Sequence, residues 1–226
     1  MPLLGQAAML LSFDVEQEAI AEHDDWHTHE HLPERLSIPG FVRGTRWVAL
    51  RGQPRYLVIY EVEQLATLAS APYLERLNNP SPWTTKMMPH YRGMSRGFCS
   101  LTGSFGLGLG HVCQLIRFKP AAGAEAALSQ WLTGNVLPGL PARPGLGSVH
   151  LFEGALTPSM TNEQRIRGAD AGVDWALVLT AFRQQDLERL VQTDLNRQAL
   201  EQQGATDVVE GLYRLDYALT EREAKA

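Results

Sequence analysis

Hydrophobic and polar positions along the chain follow two periods in alternation. Apolar residues stand at every second place or in short runs over 7–14, 43–50, 55–62 and 94–102, which predicts strands. Between them, 16–37 and 63–78 carry apolar residues three and four apart, which predicts helices. The order returns with strands at 111–118, 147–153, 174–182 and 208–218 and helices at 122–138 and 184–202. Pro39-Gly40 and Pro144-Gly145 punctuate the helix-to-strand turns. Strand, helix, strand, strand, helix, strand is the α+β order of the ferredoxin-like unit, with both helices on one face of an antiparallel sheet. Such a sheet leaves its other face bare. Two units packed sheet to sheet cover both faces, so the chain divides into a first unit over 1–105 and a second over 106–226.

The two units share residues as well as periods. Trp26, Thr28, Leu32, Pro33, Pro39 and Gly40 return 105 positions later as Trp131, Thr133, Leu137, Pro138, Pro144 and Gly145. Tyr56–Tyr60 matches Ala176–Thr180 at an offset of 120, which gives the second unit fifteen extra residues within 157–174. Gly97-Phe98 faces Gly211-Leu212 at 114, which leaves the first unit some eight extra residues around 78–90. The Gly-rich run 103–110 reads as a linker, because a strand follows it where a dinucleotide loop needs a helix. Residues 220–226 read as a frayed tail.

Composition narrows the partners. The 226 residues hold 20 Lys plus Arg against 25 Asp plus Glu, a net charge of -5 that offers no footprint for nucleic acid. The apolar run 7–13 is too short to cross a bilayer, and no basic residue precedes it, so neither a membrane nor a signal peptide is expected. Cys99 and Cys113 lie in apolar runs as small hydrophobes, which suits a cytoplasmic setting.

Comparison of the halves points to a site. His27, His29, Glu30 and His31 stand opposite Leu132, Gly134, Asn135 and Val136, and none of the histidines His23, His27, His29 and His31 has a counterpart. At 100° per residue His27, Glu30, His31 and Glu34 form one stripe. In the second unit that stripe is apolar, so His27 and His31 are expected to point inward and line a cavity between helix and sheet; the alternative is that the helix tilts into solvent. H-T-H-E-H also fits a zinc pattern, with His27 and His31 as ligands, Glu30 as base and His90 as a third ligand, but Pro33 interrupts the helix directly afterwards. Arg46, Tyr60, Trp83, His90 and Trp26 are further candidates for holding a substrate.

The run W-H-x-x-E-H-L-P-E-R-L-x-I-P-G-F, followed by P-R-Y-L-x-x-Y-E, resembles the dimeric α+β barrel superfamily, in an EthD-like branch with two fused repeats. The resemblance implies a ligand cavity between helices and sheet, often with a histidine as acid or base. It extends to cofactor-free monooxygenases, cyclases, isomerases and haem enzymes. The expectation is a cofactor-free lyase, isomerase or cyclase acting on an aromatic, phenolic or polyketide-like carbonyl compound. His31 is its acid or base, His27 its orienting partner and Glu30 the group that fixes a ring tautomer. Arg46 or Tyr60 would stabilise an oxyanion. A cofactor-independent monooxygenase and a non-catalytic ligand-binding or stress protein are the alternatives. No cofactor is expected, with zinc on His27 and His31 or haem on His31 or His90 as lesser options. The chain is expected to be a monomer or a homodimer.

Overall fold

A computed structural model describes residues 2–155 and 160–226. Among them lie eight strands: β1 (Ala7–Val15), β2 (Phe41–Arg51), β3 (Tyr56–Val62), β4 (Tyr91–Gly106), β5 (Val112–Pro120), β6 (Leu146–Ala155), β7 (Trp175–Ala181) and β8 (Ala205–Thr220). They close into one antiparallel barrel in the order β1-β3-β2-β8-β5-β7-β6-β4. Each half contributes four neighbouring strands in the same order, fourth, first, third, second. The halves join edge to edge through β2–β8 and β4–β6. Barrel closure leaves no unpaired edge.

Alternation along the strands sorts the core into layers. Ala8, Leu10, Leu57 and Ile59 of the first half meet Cys113, Leu115, Ala176, Val178 and Tyr213 of the second inside the barrel. Their neighbours Met9, Leu11, Val58 and Tyr60 face outward to helices of the first half, as Leu177 and Leu179 do in the second. Both cysteines are free and buried in the interior, and burial pushes the Cys99 thiol up to about 12 and that of Cys113 further still.

The helices are α1 (Ile20–Trp26), α2 (Leu32–Leu36), α3 (Ala71–Asn78), α4 (Pro82–Met87), α5 (Glu125–Gln130), α6 (Asn162–Arg167), α7 (Gln184–Thr193), α8 (Arg197–Gln202) and α9 (Glu221–Ala224). None is long and apolar enough to cross a membrane. A π-turn over His27–His31 joins α1 to α2, and a second one over Trp131–Val136 follows α5. In each the N–H after the turn reaches back five residues, Leu32 to His27 and Leu137 to Leu132. Pro33 and Pro138 come next. A proline ring in a continued α-helix collides with the carbonyl four residues before it, and the wider turn relieves that collision. Pro33 therefore widens the helix, which runs on to Leu36, instead of interrupting it.

Four sequence expectations need correction. Phe13 pairs with Tyr56 and Phe118 with Trp175, so β3 answers to β7 at an offset of 119, and with β1 and β5 at 105 the second half has fourteen extra residues rather than fifteen. A one-residue slip exchanges the two faces of a strand. The true register pairs Tyr60 with Leu179 on the helix-facing side, not with Thr180, which bonds Ser148 in the interior. The supposed linker begins inside β4, whose Gly103–Gly106 pair with β6. The supposed tail forms α9, capped reciprocally by Thr220 and Glu223, and Ala224 packs on the first core.

The extra segments of both halves meet over the first half. That of the first forms α4, whose N-cap Ser81 accepts from the Thr84 N–H at 2.9 Å. Of the second, residues 157–159 lie outside the described residues, and α6 starts in a capping box made by Thr161 and Gln164. Asn162 docks α6 on the end of α3, its side-chain amide donating to the Asn78 carbonyl at 2.6 Å.

Candidate functional site

The expected polar stripe lies between the first helix and the outer face of the first half's sheet. His23, His27 and His31 are 0%, 2% and 8% exposed, so the helix does not tilt into solvent. Gly44 on β2 lets the helix come this close, since a Cβ there would stand 2.3 Å from Leu32 Cδ2.

Each ring has a distinct setting. His23 is bonded on both nitrogens, to Asp24 Oδ1 at 3.1 Å and to the Tyr91 hydroxyl at 3.2 Å. His27 Nδ1 lies 3.4 Å from Arg46 Nη1 and its Nε2 3.5 Å from the Tyr60 hydroxyl. A guanidinium only donates, so Nδ1 is the acceptor and the neutral ring carries its proton on Nε2. Arg46 is held in turn by Asp216 Oδ2 at 2.7 Å and by the Asp24 carbonyl at 3.1 Å. His31 packs against Trp26 with ring centroids 4.3 Å apart, five residues on, as the π-turn dictates. Its Nδ1 is buried with no hydrogen-bond partner among the described residues.

The π-turn also redirects Glu30, which a regular helix would place beside the histidines. Its Oε1 accepts from Trp26 Nε1 at 3.1 Å, from Ser81 Oγ at 2.5 Å and from Thr84 Oγ1 at 3.5 Å, tying the helix to α4. No histidine is among these partners, and the tautomer expected to be set by Glu30 is set for His27 by Arg46.

Leu11, Phe13, Val58, Met88, Met94, His27, His31, Tyr60, Tyr91 and Arg167 line a cavity in which about 20 Å³ is open to the centre of a water molecule. That is room for roughly one water. Of the expected substrate contacts, Tyr60 lines this space and Trp26 backs His31. The other three are engaged elsewhere. Arg46 sits behind His27, Trp83 Nε1 donates to Glu22 at 3.2 Å, and His90 Nδ1 pairs with Glu16 at 2.6 Å.

Burial holds His27 and His31 well below the usual histidine range, with neighbouring cationic groups adding to the effect. Burial also lowers His23, against the opposing pull of Asp24, and pushes the interior His150 down to about 3. Tyr60 and Tyr91 are raised by burial and stay protonated. Below pH 6.5 the unfolded chain takes up protons at these four histidines more readily than the native state does. Their stabilising contribution is therefore whole above 6.5 and is lost as the pH falls, by up to about 1.4 kcal/mol per pH unit for each. Urea midpoints should drop between pH 7 and pH 5. A flat profile there would contradict the buried neutral rings.

Arg167, Asp170 and Glu163 escaped the sequence reading. They lie in the second half, yet they pack over the first half, where Arg167 reaches the cavity. Glu163, 3% exposed, pairs with Arg35, 1% exposed, and Arg167 joins the lining. Their signal was the surplus length around 157–174, read only as an insertion.

No protein-family model and no curated protein sequence matches the chain. Solved structures do. An anthrone oxidase-like protein superposes with TM-score 0.70 at 12% identity over 99% of this chain and 97% of that one. A candidate monooxygenase from Lactobacillus acidophilus NCFM gives 0.59 at 11% over 95% and 96%. A mutant chlorite dismutase from Candidatus Nitrospira defluvii, in complex with cyanide, gives 0.56 at 12% over 93% and 90%. The chain shares the fold of these structures, an eight-stranded antiparallel barrel with helices outside it. At such identities the likeness concerns fold alone, and function lives in the site.

Two cofactor options can be tested against the geometry. Of the expected haem ligands, His90 is engaged by Glu16, and His31 faces a space that a porphyrin, like a three-ring substrate, would have to widen. Zinc finds no third ligand for His27 and His31 among the described residues, and the nearby Arg46 charge opposes a cation. No step below runs through either group.

Proposed function

We propose that the chain is a small-molecule enzyme in which neutral His31 removes a proton from a phenolic or enolisable aromatic substrate bound between the first helix and the sheet. The observation that carries this reading is the buried, partnerless Nδ1 of His31 in the wall of a cavity, at the position where the second half has Val136. An unbonded polar atom in such surroundings costs about 1–3 kcal/mol, which a bond to substrate at Nδ1 would offset. His27, with its tautomer set by Arg46, packs 5.6 Å from His31 between ring centroids and positions it. We read the two halves as a duplicated unit, in the EthD-like manner, whose first copy was specialised. The barrel closes within one chain, so one chain suffices for the site.

Two fates are open to the substrate anion. Oxygenation without a cofactor is the one we favour, on the apolar wall of Leu11, Val58, Met88 and Met94 and the fold's likeness to an anthrone oxidase-like protein. A CH₂ group beside an aromatic ring gives its proton to His31, and the carbanion passes its electrons to dioxygen. Carbonyl product and one water then account for both oxygen atoms and both hydrogens. Return of the proton to another carbon, or ring closure on a neighbouring carbonyl, gives the isomerase or cyclase outcome from the same anion.

An oxygen electrode run alongside product analysis on an anthrone substrate tests this. Stoichiometric oxygen uptake supports oxygenation. Turnover without oxygen uptake moves the reading to the isomerase or cyclase, and no turnover on anthrones and related phenols contradicts the enzymic reading.

A further inference from the structure

The cavity has one wall that the base does not explain. Arg167 comes from α6, in the second half's extra segment, and places a guanidinium in the lining of the first half's cavity. One side of that guanidinium is fully used: Nη2 donates to Asp170 at 2.7 and 2.9 Å, and Nε donates to the same carboxylate at 3.3 Å. The other side is not. Among the described residues Nη1 has only the thioether sulfur of Met88, at 3.8 Å, and a thioether is a weak acceptor. Charge points the same way, because Asp170 is shared between Arg167 and Arg96, whose Nε lies 3.0 Å from it. The three side chains are 6%, 6% and 4% exposed, so two buried cations stand on one carboxylate. Glu163 and Glu34 do not redress this, being spent on Arg35. A buried charge without its counter-charge is costly, and a guanidinium with a free N–H edge is built to receive an anionic oxygen.

We propose that Arg167 receives the anionic oxygen of the substrate, and that the site selects flat aromatic phenols or enols bound as phenolate or enolate. The proposal rests on His31 as the base. His31 takes the proton, and the negative charge left on oxygen faces a fixed cation in a water-poor space, where such stabilisation is strongest. Arg167 takes over the role expected for Arg46, which is occupied by Asp216, the Asp24 carbonyl and His27. A ring enters by displacing the side chains of Met88 and Met94, which are unbranched and repack readily. Withdrawal of Met88 also frees the Nη1 edge.

4-Nitrophenol, whose ionised form is yellow, tests the assignment by absorption. Bound to the wild-type protein it should ionise about one to three pH units below its value in free solution, the effect of an opposite charge at close range. Arg167→Gln should bind the probe with its ionisation back near the solution value, and Arg167→Lys should keep part of the shift. 4-Nitroanisole, of the same shape without an ionisable oxygen, should bind the wild type and both variants alike, showing the cavity intact. Arg167→Lys carries the test alone if the glutamine variant does not fold, and a shift in it equal to wild type then overturns the proposal. An undiminished shift in Arg167→Gln, a wild-type complex holding the neutral phenol, or no binding at millimolar probe overturns it as well. Such a failure leaves the base untouched, because His31→Ala is judged by turnover and not by the probe.

Discussion

Replacing Glu163 by Ala is expected to destabilise the protein by about 3–5 kcal/mol, the cost of leaving one member of a buried ion pair behind. Arg35 is 1% exposed, and Glu163 closes on it from α6 across the interface of the two halves. Glu34 also reaches Arg35, at 3.2 Å, which holds the loss toward the lower end of that range. Stability changes in a chain of this size move the melting temperature by roughly 2–4 °C per kcal/mol, so the drop should be plain in calorimetry. The double variant Arg35→Met, Glu163→Leu should recover most of the loss, because desolvating the charges costs about as much as their attraction returns. A single variant within about 0.5 kcal/mol of wild type would mean that the charges are solvated and that α6 does not seal the cavity.

The second large effect falls on activity. His31→Ala should lower turnover of an anthrone-type substrate by about 10²–10⁴-fold, the usual contribution of a general base. The melting temperature should change little by comparison, since the lost ring leaves behind one fewer buried atom without a partner. His90→Ala is the control. Its ring pairs with Glu16 outside the cavity lining, and turnover should stay within about twofold of wild type, as for surface substitutions generally. Equal losses in the two variants would indicate damage to the fold instead of removal of a base.

Much of the fold was legible in the sequence because two kinds of signal agreed. Periods of two and of three to four residues located the strands and the long helices, and the repeated Trp, Thr, Leu-Pro and Pro-Gly positions fixed the correspondence of the halves at 105. The correspondence shifts by one where β3 and β7 are buried on both faces and, Glu61 and Thr180 apart, dominated by large apolar and aromatic residues, since such a run carries little parity. Tyr60 then lost its place opposite Leu179.

Site legibility followed the same rule. His27 and His31 could be placed by contrast with Leu132 and Val136, because the apolar pattern of the matching stretch in the second half points to a buried face. Glu30 could not, because the π-turn that swings it to Trp26 and Ser81 arises from Pro33 and breaks the 100° spacing. Arg167 and Glu163 were out of reach for another reason. Their place over the other half's cavity is set by docking of α6 on α3 and on the turn after α4, which no local periodicity encodes.

Nitrogen-15 NMR of the histidine rings tests the account most directly. As the pH is lowered from 8 through 6.5, the two ring nitrogens of His31 should keep the separated shifts of a neutral imidazole, because burial holds the group well below its ordinary 6.5. Addition of 4-nitrophenol should then move the Nδ1 resonance, as the one partnerless ring atom gains a bond or a proton. A His31 that titrates near 6.5, with ring signals indifferent to the phenol, would contradict a buried base in a substrate cavity.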